Sequence, residues 1–236
     1  MNKVIDINDF SSFKNIKTKD NQYLRVNPFD LYISRNLINY GEWEPHIRQM
    51  LNNLCKPDMT VMDIGANIGA HTVYMSKLVG ENGKVIAFEP CKSHTEILFY
   101  NLMINNCFNT QLYSYGCSDN DATMFIDERF KNTKQNENFG CIVLKNELIN
   151  KNDEIIETRT IDSFNFPKID VVKIDAEYME NKVICGMKNT ILKYKPIIII
   201  EIHNNELKNM TDIFDSIDYK IERISNSCDF LALPKN

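Results

Sequence analysis

Val61-Met-Asp-Ile-Gly-Ala-Asn-Ile-Gly-Ala-His71, followed by Lys84-Val-Ile-Ala-Phe-Glu-Pro90, decides how this chain is read. A short apolar run enters a turn between Asp63 and Gly69, an amphipathic segment continues through Val79, and a second apolar run ends in an acid. That order is a βαβ unit of a parallel sheet. Gly65 and Gly69 lack Cβ atoms, so the chain can turn sharply out of the strand and let a ligand lie against the backbone. Glu89 follows Gly69 by about 20 residues, the separation at which an acid reaches ribose hydroxyls in such units. The turn is neither G-x-G-x-x-G nor a Gly-Lys-Ser/Thr loop, so it does not cradle a pyrophosphate, and adenosine without phosphates fits it better.

Working outward, Glu44 to Leu54 has a helical period at Ile47, Met50, Leu51 and Leu54, closed by Lys56-Pro57. Trp43, the only tryptophan, is expected to plug the sheet edge rather than wall a cofactor. Before it, residues 1–45 read as an extension packing on a core of residues 46–236, with strand-like pieces at Leu24–Val26 and Phe29–Ile33 around the turn-prone Asn27-Pro28. Downstream, residues 92–106 read as a helix and Gln111–Tyr115 as a third strand stopping at Gly116-Cys-Ser-Asp119. Between residues 122 and 160 the rhythm breaks. Met124–Ile126 and Cys141–Leu144 bracket a polar loop carrying Arg129, Lys131 and Lys134, expected to be a lid over the site or a bulge. Ile169–Ile174 is the fourth strand, Val183–Leu192 a helix, and Pro196–Ile200 a strand buried on both faces. Tyr219–Ser225 and Asp229–Leu233 close the chain as an antiparallel pair.

Asp63-Ile-Gly-Ala-Asn-Ile-Gly69 and Ala87-Phe-Glu-Pro90 resemble the S-adenosylmethionine (SAM)-dependent methyltransferases of the FkbM family. Arg159-Thr-Ile-Asp162, Val172-Lys-Ile-Asp-Ala-Glu177 and Pro196-Ile-Ile-Ile-Ile-Glu-Ile-His203 are similar to its second signature, over roughly residues 40 to 235. The resemblance implies an α/β, doubly wound, mostly parallel sheet of the class I (Rossmann-like) methyltransferase type, in a domain that modifies a hydroxyl of a carbohydrate or related polyhydroxylated small molecule. It implies that Asp63, Gly65, Ala66, Asn67, Gly69, Glu89 and Pro90 bind SAM, that Ser118 and Asp119 approach the adenine, and that Asp175 belongs to the same site. One departure stands out. The family's Asp-x-Glu-Gly-x-Glu is matched by Asp175, Glu177 and Glu180, but its Gly is Tyr178 here, so Glu177, Tyr178 and Glu180 are assigned to the acceptor pocket.

A sugar hydroxyl is a poor nucleophile until its proton is taken, so a base belongs at the strand-end rim. Asp175, Glu201 and His203 are the candidates, with His203 in the pKa class suited to neutral pH. The four acids Asp175, Glu177, Glu180 and Glu201 offer oxygen ligands for a divalent cation, but helix capping and pairing with lysines is the favoured reading, and no metal is assigned. His46, His71 and His94 are dispersed and read as structural.

At 236 residues, 43% of them hydrophobic, the chain holds one well-buried domain and is short for two. A net charge of −5 argues against nucleic acid and anionic membranes as partners. Seven cysteines without C-x-x-C spacing read as reduced thiols, and acids at the N-terminus disfavour a signal peptide, so a cytoplasmic protein is expected. Competing readings are an NAD-dependent oxidoreductase, which wants a different glycine turn, a methyltransferase for a nucleobase or protein nitrogen, and a catalytically silent binding protein. Asn/Asp-Pro-Pro-aromatic, common where planar nitrogens are methylated, is replaced here by Asp175-Ala-Glu-Tyr178.

Overall fold

A computed structural model describes residues 12–128 and 138–235. The start of the chain and the central part of the expected lid, with Arg129, Lys131 and Lys134, lie outside the described residues.

Lys14–Lys17 (β1) and Tyr23–Val26 (β2) pair antiparallel. Their turn is at Thr18–Gln22, not at Asn27-Pro28: Thr18 N donates to the Gln22 carbonyl at 2.8 Å. Asn27 instead accepts the Phe29 amide at 3.1 Å, and Asp30 accepts the amides of Tyr32 and Ser34, which turns Phe29–Ile33 into the entry to a helix at Ile33–Tyr40 (α1). Pro45–Leu54 (α2) begins with the proline its first turn tolerates. Thr60–Ile64 (β3), Ala70–Val79 (α3) and Lys84–Phe88 (β4) form the expected βαβ unit. Lys92–Ile104 (α4) leads to Thr110–Tyr113 (β5), which pairs with β4. Buried Asn101 of α4 ties the pieces together: its amide accepts from Arg25 N at 2.6 Å and donates to the carbonyls of Arg25 and Ile68.

The third strand ends earlier than expected. After Tyr113 the chain leaves the main sheet, and Gly116–Cys117 (β6) joins Ala122–Ile126 (β7) and Glu154–Arg159 (β8) in a separate three-stranded sheet of order β6-β8-β7. Cys141–Leu144 is not a strand; Phe125 pairs with Lys145 in a single bridge instead. Val171–Ile174 (β9) re-enters the main sheet beside β3. The expected helix at 183–192 is two, Glu180–Gly186 (α5) and Lys188–Tyr194 (α6), and Gly186 at the end of the first lies against the Ser118 carbonyl, where a Cβ would collide. Ile197–Glu201 (β10) follows. Leu207–Ser216 (α7), passed over in the sequence, buries Met210 and Phe214. Tyr219–Arg223 (β11) and Asp229–Pro234 (β12) are the antiparallel pair.

The main sheet runs β11-β12-β10-β9-β3-β4-β5, with β12 antiparallel to its two neighbours and the rest of the adjacent pairs parallel. Both faces are covered, which is why its strands are apolar throughout. Met62, Ile64, Ile198 and Ile200 pack with α5, α6 and α7, whereas Val61 and Ile199 pack with Ile47, Leu51, Met75 and Val79. The chain winds from β3 towards β5, then returns to β9 on the other side of β3. Strand order therefore reverses between β3 and β9, and a crevice opens at their carboxyl ends. Among the described residues no helix is long and apolar enough to cross a membrane.

Candidate functional site

A cavity of about 270 Å³ occupies that crevice. Gly65 has φ +79°, and a Cβ on it would fall on the Asp175 carbonyl oxygen, so only glycine lets β3 and β9 end this close together. Gly65 N and Ala66 N both donate to the Phe88 carbonyl at 3.0 Å, fastening the turn to β4. Glu89 is 5% exposed, and its two oxygens accept the amides of Asn67 at 2.9 Å and Cys91 at 2.8 Å. Each oxygen keeps a further lone pair for a hydroxyl. Gly65, Ala66, Asn67, Glu89 and Pro90 all line the cavity. Gly69 does not: with φ +86° it starts α3 under Leu98, where a side chain would clash.

The centre of the cavity is charged. Lys173, a lone cation in an apolar strand, is buried and donates to Asp175 Oδ2 at 3.0 Å. Burial works against its charge, but Asp175, Asp63 and Glu44 outweigh burial and hold it above the ordinary lysine range. Asp63, paired in register with Lys173, accepts the Thr72 hydroxyl at 2.6 Å on Oδ2, while its Oδ1 is buried without a partner. The Glu44 carbonyl accepts the Arg48 amide at 3.0 Å, while its side chain makes no cap and faces His71, with Nε2 to Oε2 at 2.9 Å. Burial raises the Glu44 carboxyl, and the His71 hydrogen bond and charge reverse this, leaving it below its usual value. Lys173, Glu44, His71 and Trp43 line the cavity and were not assigned to it from the sequence; Trp43 packs on an apolar cluster with Leu24 and Leu37 as well. The one signal available was a lysine inside Val-Val-Lys-Ile, since a charge buried in a strand needs partners at hand.

The β9 and β10 ends are crowded with acids. Asp175, Glu177 and Glu201 line the cavity. Burial, with Asp175 adding to it, pushes the Glu177 carboxyl up to about 7; burial, Asp175 and Glu177 push Glu201 up to about 8. Glu180 is fully buried away from the cavity and accepts the Ala176 amide at 3.0 Å. Glu177 and Tyr178 both have positive φ, +47° and +70°. The left-handed backbone at 178 is where a glycine sits without strain; here the half-exposed Tyr178 ring stacks on His203, centroids 4.2 Å apart. Neither ring lines the cavity, and His203 Nε2 is buried without a partner. Glu201, two residues earlier, does line the cavity.

Ser118 and Asp119 also lie off the cavity, carried into the second sheet: the Ser118 hydroxyl donates to Asp119 at 3.1 Å, and Gly116 and Cys117 line the wall instead. Glu89, Cys91 and His94 bring ligand-type atoms within 4.8 Å of one another. Burial and Glu89 push the Cys91 thiol up to about 12.

The Methyltransferase FkbM domain matches residues 63–231. The fold is similar to that of a methyltransferase FkbM from Methylobacillus flagellatus KT, at 17% identity and a TM-score of 0.56 over 79% of this chain; the chain spans 50% of that protein's length. It is also similar to a ribosomal protein L11 methylase from Lactobacillus delbrueckii subsp. bulgaricus, at 13% identity and TM-score 0.54 over 97% of this chain and 93% of the other. A precorrin-6y C5,15-methyltransferase from Geobacter metallireducens GS-15 aligns at 12% identity and TM-score 0.53 over 89% and 97%. At these identities the likeness is one of fold. No curated protein matches the chain. The cavity fits the methyl donor SAM on its own chemistry: Glu89 for ribose hydroxyls, an unpartnered buried oxygen on Asp63, and an excess of carboxylates towards a cation. With the FkbM domain spanning β3 to β12 and its glycine turn and strand-end acids gathered around one cavity, the chain belongs to the FkbM methyltransferase family.

Proposed function

We propose that this protein is a SAM-dependent O-methyltransferase acting on a hydroxyl of a carbohydrate or similar polyhydroxylated molecule, with Glu201 as the proton acceptor. The observation that carries this is the pair of raised carboxylates on the cavity, Glu201 at about 8 and Glu177 at about 7. Asp175 is tied to Lys173 and stays a positioning acid, whereas Glu201 has the basicity to accept a proton near neutral pH. When bound, SAM supplies a methyl group already activated on a sulfonium. Glu201 would take the proton of an acceptor hydroxyl held beside that methyl group. Alignment of the acceptor oxygen, the methyl carbon and the sulfur is the other requirement, served by Glu177 and Asp175 from the end of the neighbouring parallel strand. The net charge of −5 supports a small acceptor over nucleic acid, and the unpaired cysteines support a cytoplasmic location.

The test uses labelled SAM with a panel of glycans, a nucleic acid and a protein extract. Label is expected on a glycan or related polyol, and Glu201→Gln is expected to lower turnover by about 10²–10⁴-fold with cofactor affinity nearly unchanged. Because the base must be deprotonated, wild-type turnover rises with pH as Glu201 loses its proton, through about 8 in the free protein and lower once a cation is bound beside it. A profile that rises instead through the histidine range, near 6 to 7, and vanishes in His203→Ala returns the base role to His203.

A further inference from the structure

We infer that Glu44 and His71 bind the amino-acid end of the cofactor, so that the segment preceding the matched family domain completes the methyl-donor site. This rests on reading the cavity as a SAM site and adds which side chains meet the ammonium and carboxylate.

Glu44 holds a left-handed backbone, φ +44°. That conformation costs a non-glycine residue about 1–3 kcal/mol and persists where its surroundings impose it, as at ligand sites. Its side chain meets His71, whose Nε2 sits 2.9 Å from Glu44 Oε2. Both residues line the cavity, His71 is 5% exposed, and its second ring nitrogen, Nδ1, is buried with no partner. A buried ring nitrogen left vacant beside a cavity calls for a polar group from whatever fills it. Asp63 Oδ1, on the same cavity and 1% exposed, is vacant too. Lys173 donates to Asp175 and makes no hydrogen bond to Asp63 Oδ1, which stays without a partner.

The order of the strands makes this the amino-acid end. Glu89 ends β4, next comes β3 with Asp63, then β9 with Lys173 and Asp175. A ligand with its ribose at Glu89 that runs across β3 would bring its 5′ substituent to Asp63, Glu44 and His71, which line the same cavity. A zwitterion there needs both signs of partner. Asp63 Oδ1 and the ionised Glu44 serve the ammonium. With Nε2–H on Glu44, His71 Nδ1 accepts an ammonium N–H, and in the protonated ring it donates to the carboxylate.

Calorimetry with two ligands separates this from a purely structural pairing of α2 with α3. S-adenosylhomocysteine has the amino-acid end, and 5′-methylthioadenosine lacks it. Glu44→Gln and His71→Phe are expected to weaken S-adenosylhomocysteine by about 10- to 100-fold, the scale of a lost hydrogen bond to a charged group. Both should leave 5′-methylthioadenosine within about 2-fold. Equal losses for both ligands, or no loss for the first, overturn the inference. If His71→Phe melts early, Glu44→Gln, which keeps shape and a hydrogen-bonding end, decides alone. A wild-type protein that binds neither ligand overturns the cofactor reading itself, and this inference with it.

Discussion

Glu89 and Glu201 each follow or end a parallel strand and each line the same cavity, yet their surroundings are opposite. Glu89 is sealed in, and both of its oxygens take backbone amides that the glycine turn and the start of α4 point at it. Glu201 is half-buried among Asp175, Glu177 and Asp229, with like charges and burial both opposing its ionised form. The first wall is finished before any ligand arrives, as a binding surface should be. The second is electrostatically unsatisfied, which suits a group whose work is to change protonation state. Lys173 and Asp175 join them: Lys173 is the cation that Asp63, Asp175 and Glu44 share.

That shared cation is the place where the contrast breaks most severely. Lys173→Met leaves several buried carboxylates uncompensated, and a loss of about 3–5 kcal/mol in stability is expected. In thermal melts this reads as a drop of roughly 6–20 °C. A variant that melts like the wild type would mean that the two walls are independent. Glu89→Ala comes next, expected to weaken S-adenosylhomocysteine by about 1–3 kcal/mol without changing the pH profile of turnover. An altered profile would show the walls to be one electrostatic unit. The smallest effect is at Tyr178. Tyr178→Gly removes a stack worth about 0.5–1.5 kcal/mol and relieves a left-handed backbone of similar cost, so the melting point should stay within a few degrees. Cofactor affinity should hold while the choice of acceptor widens. Loss of S-adenosylhomocysteine binding in this variant would assign Tyr178 to the cofactor wall instead.

The same contrast runs through what could be read from the chain. The glycine turn and Glu89 are local: residues 61–90 fold on themselves, and Gly65 announces a φ that few other residues adopt. Ile197–Ile200 is equally plain, since burial on both faces leaves no room for a polar residue. Ser118 and Asp119 lie off the cavity because the chain leaves the main sheet after Tyr113, and the pairing of Gly116–Cys117 with a strand some 40 residues later has no local signature. His203 looked like a base because a histidine's pKa class belongs to its side chain, while its stack with Tyr178, off the cavity, belongs to the fold.

By itself, then, the sequence determined the winding of the sheet, the cofactor turn and the family, because these follow from apolar period, backbone freedom at glycine and spacing along one βαβ unit. Tertiary structure alone decided that Glu44, His71 and Lys173 share a cavity with Asp63, and that Glu201 rather than His203 faces it. Burial and the nearness of like charges set the proton affinity of a carboxylate, and both are properties of groups that meet only when distant segments pack.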